Sequence, residues 1–189
     1  MTTLVSDHDL MAAAQGGDAQ AFAALVRTHV PRLHRYLVAT GVSHHDADDL
    51  VQDAFLRVHR NLDRYDPRYA FTTWLYTIAH RLRLNWTSRK RVHAALDSVP
   101  EPHRVDAPTV SGEESELDGT WLVARQILSP RHFQLLWLRY GEDLELEAIA
   151  SICTCTTLNV RVSLHRARTK LEYHLRSAGF APTPARGTP

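Results

Sequence analysis

The sequence predicts an all-α protein of two small helical domains that are joined by a flexible acidic linker. Apolar residues recur at three- and four-residue spacing along most of the chain, and few segments alternate as β-strands do. The length of 189 residues suits one domain or two small ones. A stretch rich in proline, glycine and acidic residues interrupts the helical pattern between residues 97 and 119. We therefore predict domains over residues 1–92 and 120–177, a linker over 93–119, and a disordered tail over 178–189.

The first two predicted helices have clear start and stop signals. Ser6 begins the first helix, and the Gly16-Gly17 pair ends it. Asp18 then caps a second helix, which ends at Gly41. Pro31 lies inside this second helix and predicts a kink or a break there. The apolar residues of the second helix recur at helical spacing: Phe22, Leu25, Val26, Val30, Leu33 and Leu37.

Two further helices complete the predicted first domain. Ser43 can cap the third helix, whose apolar face holds Ala47, Leu50, Val51, Ala54, Phe55 and Val58. A turn at residues 65–67 follows. The fourth helix is predicted from Phe71 to about Arg89, and its expected buried stripe is Trp74, Leu75, Ile78, Ala79, Leu82 and Trp86.

The predicted second domain has the layout of a helix-turn-helix. Helices are expected over residues 121–128, 130–140 and 145–152, with Ser129-Pro130 as a start signal and Gly141 as a stop. A tight segment over residues 153–156 precedes a basic final helix that ends near Ser177. Such a helix can enter a major groove, with Leu158, Val162 and Leu164 expected to pack behind it.

Charge is distributed in blocks, although the net charge of the chain is only +1. Residues 1–59 carry −3, residues 60–91 carry +6, residues 92–120 carry −6 and residues 121–189 carry +4. A polyanion senses the local charge within about 10 Å, so two basic segments suit nucleic acid. The alternative interpretation is that these segments are ordinary solvated helix faces.

Two helices of the first domain have unusual compositions. In the fourth helix, aromatic residues interleave with basic ones, a pattern that suits single-stranded nucleic acid. Alternatively, Trp74 and Trp86 pack in the core. The third helix carries four clustered carboxylates, which suit a basic protein partner or the positive end of the helix dipole: Asp46, Asp48, Asp49 and Asp53.

Together these features resemble the bacterial sigma-70 superfamily of RNA polymerase sigma factors. Residues 46–58 (DADDLVQDAFLRV) resemble region 2.1–2.2, and residues 71–79 (FTTWLYTIA) resemble region 2.3. Residues 128–131, 146–150 and 164–168 resemble region 4. The order and separation are most similar to the extracytoplasmic-function (ECF) group, which keeps only regions 2 and 4.

The resemblance implies three binding surfaces. The third helix would bind the clamp of the largest subunit of core RNA polymerase through Asp48, Asp49, Leu50, Gln52, Asp53, Phe55 and Leu56. The fourth helix would bind the melted minus-ten promoter element through Phe71, Trp74, Tyr76, His80, Arg81, Arg83, Asn85, Arg89, Lys90 and Arg91. The final helix would read the minus-thirty-five element, with its domain near the polymerase flap, through Thr157, Asn159, Arg161, Ser163, His165, Arg166 and Arg168.

The resemblance also implies partners and a location. The acidic linker would run near the RNA exit path of the polymerase, and an anti-sigma factor would be a further partner. Catalysis would belong to the polymerase, so we expect no enzymatic activity and no cofactor. Because the chain lacks a signal peptide and a membrane span, we expect a cytoplasmic protein, free or held at the inner membrane face by an anti-sigma factor.

Several residues depart from the family pattern. His80 stands where the pattern usually has asparagine, and Asn85 stands where aspartate is common. In the region 4 turn, Thr154 and Leu158 replace two glycines. A threonine with a positive φ would be strained, so we expect this turn to differ in geometry. Recognition of the minus-thirty-five element is then expected to be weak or tuned to an unusual sequence.

Two other functions remain open at this stage. A dimeric helix-turn-helix regulator would need neither the acidic third helix nor the aromatic and basic fourth helix. A degenerate sigma-like interaction protein would bind polymerase or an anti-sigma factor without reading DNA. We predict no metal site, because Cys153 and Cys155 lack a second pair at the usual spacing, and two cysteines exclude a disulfide framework.

Overall fold

The structure is a computed structural model that describes residues 6–97 and 119–178. Within these two ranges the chain forms eight α-helices and no β-strand, which confirms the all-α fold class. The helices are α1 (Asp7–Gln15), α2 (Ala19–Ala39), α3 (His44–Arg60), α4 (Phe71–Asp97), α5 (Gly119–Ile127), α6 (Pro130–Leu136), α7 (Leu146–Ile152) and α8 (Thr157–Ser177). A short 3₁₀ turn, Leu62–Arg64, lies between α3 and α4.

The chain divides into two compact units. Helices α1 to α4 belong to the first unit, and α5, α6 and α8 belong to the second. In the first unit α2 packs on α1 and α3, and α3 packs on α4. Its fully buried side chains include Met11, Leu25, Leu33, Tyr36, Leu37 and Leu75. The ring centroids of Tyr36 and Tyr76 lie 5.1 Å apart, which joins α2 to α4.

Side-chain caps begin the first three helices, as the sequence predicts. The Ser6 hydroxyl accepts a hydrogen bond from the Asp9 amide at 3.2 Å, and the Ser43 hydroxyl accepts one from the Asp46 amide at 3.2 Å. The Asp18 carboxylate accepts from the amides of Gln20 and Ala21. Each cap satisfies amides that have no partner inside the helix.

Helix α2 continues through Pro31, so the predicted break is wrong. The helix runs without interruption from Ala19 to Ala39. Pro31 lies on the exposed side of the helix, where water can solvate the carbonyl that loses its amide donor. Its buried residues include Leu25, Leu33 and Leu37, which lie on the predicted apolar face.

Helix α4 is longer than the sequence indicates. It continues to Asp97 rather than ending near Arg89, and so it extends into the segment assigned to the linker. The remainder of the acidic linker and the tail after Ala178 lie outside the described residues. The charge and disorder expected of those two segments therefore stay predictions.

The second unit is built around α6 and α8, with α5 packed on both. Ser129 caps α6 by accepting from the His132 amide at 3.3 Å, and Thr156 caps α8 by accepting from the Asn159 amide at 3.2 Å. The Trp121 ring centroid lies 4.8 Å from that of Trp137 and 5.9 Å from that of Phe133. This aromatic cluster fixes α5 to α6.

The predicted single helix over residues 130–140 is wrong at its C-terminal end, because α6 passes into a π-helical turn, Trp137–Gly141. The Glu142 amide donates to the Trp137 carbonyl, and the Trp137 indole donates to the Glu142 carboxylate at 3.0 Å. A Cβ at Gly141 would lie 3.2 Å from the indole carbons of Trp137. Glycine therefore allows the indole to lie against this turn.

The turn between α7 and α8 keeps the geometry that a glycine usually adopts. Thr154 has a φ of +52°, in the left-handed region. Its amide donates to the Ser151 carbonyl, and the Cys155 amide donates to the Ala150 carbonyl. This pair of bonds is the Schellman arrangement of a helix C-terminus. The expectation that threonine changes the turn is therefore wrong: the turn is preserved, and the strain remains at Thr154.

Candidate functional surfaces

The exposed side of α3 carries acidic, amide and apolar groups together. Asp48, Asp49 and Gln52 are exposed, and Leu56 is 45% exposed. We call these four residues the α3 face. Asp49, Gln52 and Leu56 follow Asp48 by one, four and eight residues, which places all four on one side of the helix. Two carboxylates beside an exposed leucine suit a protein partner that is basic and partly apolar.

Two carboxylates of α3 have partners within the unit. Asp53 makes two hydrogen bonds with the Arg57 guanidinium, at 3.3 and 3.1 Å, and both side chains are about half exposed. His34 Nε2 lies 3.4 Å from the exposed Asp48 carboxylate. Arg57 largely neutralises Asp53, so Asp48 and Asp49 supply most of the negative potential of the α3 face.

The assignment of Phe55 to a protein interface is corrected by its burial. Its side chain is 7% exposed and belongs to the buried face of α3, together with Val51, Ala54 and Val58. Leu50 is partly exposed, at the edge of that face. The sequence had placed both residues on the apolar side of the third helix, and the structure confirms that side for Phe55.

The C-terminal half of α4 presents a continuous exposed stripe. It consists of Arg81, Leu84, Asn85, Ser88, Arg89 and Val92. Each of these positions lies three or four residues from another member of the set, so together they follow one side of the helix. Leu84 is 47% and Val92 57% exposed, and sequence analysis missed both. This α4 stripe offers cations for phosphates and apolar side chains for bases.

Three residues assigned to minus-ten recognition lie in the core instead. Phe71, Tyr76 and His80 are 2%, 1% and 8% exposed. The Phe71 ring packs edge-on against the His29 ring at 5.1 Å, and Trp74, partly exposed, packs on Tyr65 at 5.3 Å. These contacts join the start of α4 to the rest of the unit. We therefore remove Phe71, Tyr76 and His80 from the predicted DNA surface.

The burial of His80 also determines its charge. Desolvation by burial and, to a smaller extent, the nearby guanidinium groups of Arg83 and Arg81 together lower its pKa to about 4. His80 is therefore neutral at pH 7 and adds no charge to α4. Its effect on the helix is through packing, beside the exposed Arg81.

Trp86 and Lys90 form a cation–π pair near the end of α4. The Lys90 ammonium lies 5.0 Å from the centroid of the Trp86 indole, which is partly exposed. Lys90 and Arg91 are exposed, whereas Arg83 is partly buried. A tryptophan held beside a cation offers both a stacking surface and a phosphate contact.

Helix α8 has one exposed face near its N-terminus, which holds Leu158, Arg161, Val162 and His165. We call this set the α8 face. Arg166 and Arg168 are also exposed, and the Arg168 guanidinium donates to the Tyr140 hydroxyl at 3.3 Å. Asn159 is exposed, and Thr157 and Ser163 are partly exposed. All seven residues assigned to minus-thirty-five recognition thus have solvent access.

The buried side of α8 differs from the predicted one. Val160, Leu164, Ala167 and Leu171 are buried, whereas Leu158 is 67% and Val162 41% exposed. Only Leu164 packs as predicted. Sequence analysis also missed Arg131 of α6, which donates to the Asn159 side-chain oxygen at 3.2 Å. These two residues are 28 positions apart, so no local pattern reveals the contact.

Within the described ranges, no group of three or more His, Cys, Asp or Glu side chains is arranged to hold a metal ion. Cys153 and Cys155 are not joined by a disulfide, and both are partly exposed. Among the same residues, no helix has the length and apolar character needed to cross a membrane.

Comparisons with known proteins define the class of this chain. Residues 25–92, from the middle of α2 to the last turns of α4, match the family model described as Sigma-70 region 2. This range contains the α3 face and the α4 stripe. The matched segment therefore includes both exposed surfaces of the first unit.

Similarity to named relatives extends over most of the chain. It is 30% identical over 183 residues to the ECF RNA polymerase sigma-E factor of Haemophilus influenzae, covering 91% of this chain and 96% of that protein. It is 28% identical over 171 residues to the ECF RNA polymerase sigma factor SigW of Bacillus subtilis, covering 85% and 91%. The chain belongs to the ECF RNA polymerase sigma factors.

Solved structures agree with the fold. CnrH, in complex with the cytosolic domain of CnrY, matches with a TM-score of 0.66 and 22% identity, covering 90% of this chain and 97% of that one. The sigma factor RpoE of Bartonella quintana, in complex with the anti-sigma factor NepR, matches with a TM-score of 0.64 and 22% identity, covering 84% and 98%.

Proposed function

We propose that this sigma factor binds core RNA polymerase through the α3 face, melts the minus-ten element with the α4 stripe, and reads the minus-thirty-five element with the α8 face. The observation that carries the proposal is the separation of charge on the first unit. The α3 face is acidic and the α4 stripe is basic and apolar, so one unit presents different chemistry to a protein and to DNA.

Polymerase binding is assigned to Asp48, Asp49, Gln52 and Leu56, with Asp53 and Leu50 at the edge. The exposed carboxylates suit a basic partner surface. The Leu56 side chain, which is 45% exposed, would supply an apolar contact to that partner. We infer that this partner is the clamp of the largest polymerase subunit. Because Asp53 is paired with Arg57, we expect Asp53 to contribute less to binding than Asp49 does.

Minus-ten binding is assigned to the exposed or partly exposed residues of α4: Trp74, Arg81, Arg83, Asn85, Trp86, Arg89, Lys90 and Arg91. Melting a duplex requires a few kcal/mol for each unstacked base, and stacking and phosphate contacts on the protein offset this. The cations and the Trp86 indole supply these contacts. Leu84 and Val92 add apolar surface to them.

Minus-thirty-five binding is assigned to the α8 face together with Thr157, Asn159, Ser163, Arg166 and Arg168. Arg161 lies one turn from the start of a capped helix, where the N-terminal residues of a recognition helix reach base edges. The preserved turn at Thr154 supports a working helix-turn-helix. This geometry favours promoter reading over a degenerate interaction protein, and the exposed α3 face favours a sigma factor over a dimeric regulator.

Further parts of the proposal concern partners and location. The solved relatives include sigma factors bound to anti-sigma proteins, so we infer that an anti-sigma factor binds this chain too. The acidic linker would run near the RNA exit path, and the second unit would lie near the flap. The chain itself performs no catalysis, uses no cofactor, and acts in the cytoplasm or at the inner membrane face when an anti-sigma factor holds it there.

The test is promoter-dependent run-off transcription with core polymerase, together with a measurement of core binding. The variant D48A/D49A should bind core about tenfold more weakly, because it removes the main charges of the α3 face. The matched control D63A removes an exposed carboxylate outside that face and should bind normally. Equal binding by both variants would remove the α3 face from the interface.

Promoter contacts are tested in the reconstituted holoenzyme. R89A should slow promoter opening without changing core binding, whereas R60A, at the exposed end of α3, should not. R161A should weaken binding of an upstream duplex, and R176A, near the far end of α8, should leave it unchanged. If R161A leaves promoter choice unaltered, α8 is not the reading helix.

A further inference from the structure

Two apolar side chains of α8 lie in the solvent at the end of the helix that is proposed to read DNA. Leu158 is 67% exposed and Val162 is 41% exposed, and they are four residues apart. Side chains at this spacing lie one above the other on a helix, so the two form a continuous apolar strip. The core contacts of α8 come from other residues, such as Val160 and Leu164.

The surroundings of the strip are cationic. Arg161 and His165 belong to the same face, and Arg166, Arg168 and Lys170 follow on exposed positions. From Thr157 onward the first acidic residue of α8 is Glu172. The N-terminus of the helix adds a positive partial charge beside Leu158, which is the second residue of α8. An apolar strip framed in this way fits an anionic partner that offers apolar contact points.

Duplex DNA has these properties at one kind of base. The C5-methyl group of thymine is the apolar feature of the major-groove edge, and leucine and valine have no hydrogen-bonding group with which to read any other base. A protein partner would more often present acidic residues to so many cations. The charge around the strip therefore favours the major groove as its occupant.

Neighbouring polar contacts hold the start of α8 in a fixed position. The Asn159 side-chain oxygen accepts from Arg131 at 3.2 Å and from the Ser163 hydroxyl at 3.3 Å. Thr156 caps the helix at the Asn159 amide. Leu158 lies between these anchored positions, so its side chain projects from a backbone that is fixed on both sides.

We propose that Leu158, with Val162 beside it, selects thymine in the minus-thirty-five element by contact with its C5-methyl group. The proposal rests on the assignment of α8 as the reading helix. The proposal also gives a role to Leu158, which stands where the family pattern has a glycine. Because glycine has no side chain, the leucine adds an apolar contact at this position, and the chain would then prefer thymine at a defined position of the element.

The experiment uses the full chain in complex with core polymerase. The preferred upstream element is first selected from a randomised duplex, and each thymine in it is then replaced by deoxyuridine, which removes only the methyl group. At one thymine or two adjacent thymines, the wild-type holoenzyme should bind about threefold to fourfold more weakly, which is the value of one buried methyl group. In L158A this penalty should disappear.

The matched control is Y173A, which truncates an exposed side chain at the other end of α8. Its deoxyuridine penalty should equal that of the wild type, and both variants should fold, since both side chains are exposed. A selected element without thymine, or an equal penalty in wild type and L158A, would overturn the proposal. So would an L158A variant that loses affinity for core polymerase alone, because the strip would then bind protein.

The outcome for Arg161 separates this proposal from the function on which it rests. If R161A fails to weaken upstream binding, α8 does not read DNA and both statements are wrong. If R161A weakens binding and no thymine methyl matters, α8 reads DNA and only the role of Leu158 is wrong.

Discussion

Helices α1 and α2 end with the same hydrogen-bond pattern as α7 but with a different residue at the left-handed position. In the first unit, α1 and α2 end at Gly17 and Gly41, whose φ angles are +92° and +96°. After α7 the left-handed position is Thr154, with a φ of +52°. Each of these three residues donates its amide to the carbonyl three residues before it, and the next amide donates to the carbonyl five residues before itself. The hydrogen bonds are alike, but the backbone strain at the left-handed residue differs.

The difference indicates where the molecule stores strain. A left-handed conformation destabilises a residue with a Cβ by roughly 1–2 kcal/mol, and a β-branched residue is the least tolerant of it. The first unit avoids this penalty with glycine. The turn between α7 and α8 keeps this penalty at Thr154, so a strained connection precedes the helix that we propose reads DNA.

Buried histidines give a second contrast. His29 and His80 of the first unit are 2% and 8% exposed, and His29 Nε2 lies 2.8 Å from the Asp7 carboxylate. Between residues 119 and 178, every histidine is at least partly exposed. Because the pKa of His80 is lowered to about 4, acid should act on the first unit through this residue.

The largest effect we expect is acid destabilisation of the first unit through His80. Its pKa of about 4 in the folded state is lower than its ordinary value of 6.5, so the unfolded chain binds the proton first. The contribution is fully present above pH 6.5 and is lost as the pH falls toward 4. Between pH 7 and pH 5, the Tm of the first unit should fall by at least about 5 °C more than in H80N.

Hydrogen exchange of amides in α2 and α4 measures this effect in the intact chain, and amides in α6 and α8 serve as the internal control. The other histidines are shared by the two proteins, so the difference between wild type and H80N isolates His80. Identical pH profiles for wild type and H80N would show that burial does not shift this histidine.

A smaller loss is expected when Gly41 is replaced by threonine. No atom lies within 4 Å of a Cβ built at Gly41, so the loss comes from the backbone alone. A φ of +96° lies beyond the well that other residues use, and G41T should destabilise the first unit by about 1 kcal/mol. Chemical denaturation monitored by exchange in α2 measures it. G41N should lose clearly less stability than G41T, because asparagine tolerates a positive φ better. Equal losses in the two variants would contradict a backbone origin.

The smallest effect is a gain in stability from the turn between α7 and α8. T154G should raise the free energy of unfolding measured at α8 by about 0.5–1 kcal/mol, because relief of the left-handed strain exceeds the extra entropy that glycine gives the unfolded chain. Exchange of amides in α8 would report the gain. T154N should give part of this gain in stability, and T154V should give none. If T154G instead destabilises the protein, the Thr154 side chain contributes more stability than the left-handed backbone conformation costs.

Local signals predicted much of the fold. The caps at Ser6, Asp18, Ser43 and Ser129 were predictable because each hydrogen bond joins a residue to one two or three positions later. The prediction of the buried stripe of α4 was correct at Leu75, Ala79 and Leu82, because the spacing of residues on one side of a helix is fixed. That spacing also includes Phe71, which lies four residues before Leu75, so its burial could have been predicted.

Other features depend on contacts that are distant in sequence. On α8, residues 158 and 162 fit helical spacing as well as residues 160, 164, 167 and 171 do, and both sets contain apolar side chains. Only the packing of α8 on α5 and α6 decides which set is buried. The π-helical turn likewise depends on the contact of Trp137 with Gly141 and Glu142, which no periodicity reveals.

The indole pair of Trp121 and Trp137 has a spectroscopic consequence. Two indole rings at 4.8 Å and tilted by 52° couple their electronic transitions, which gives a paired circular dichroism signal in the ultraviolet. The pair joins α5 to the end of α6, so the signal exists only while these helices are docked. With Trp74 and Trp86 replaced by phenylalanine, the chain would carry its own optical probe of the second unit during thermal unfolding.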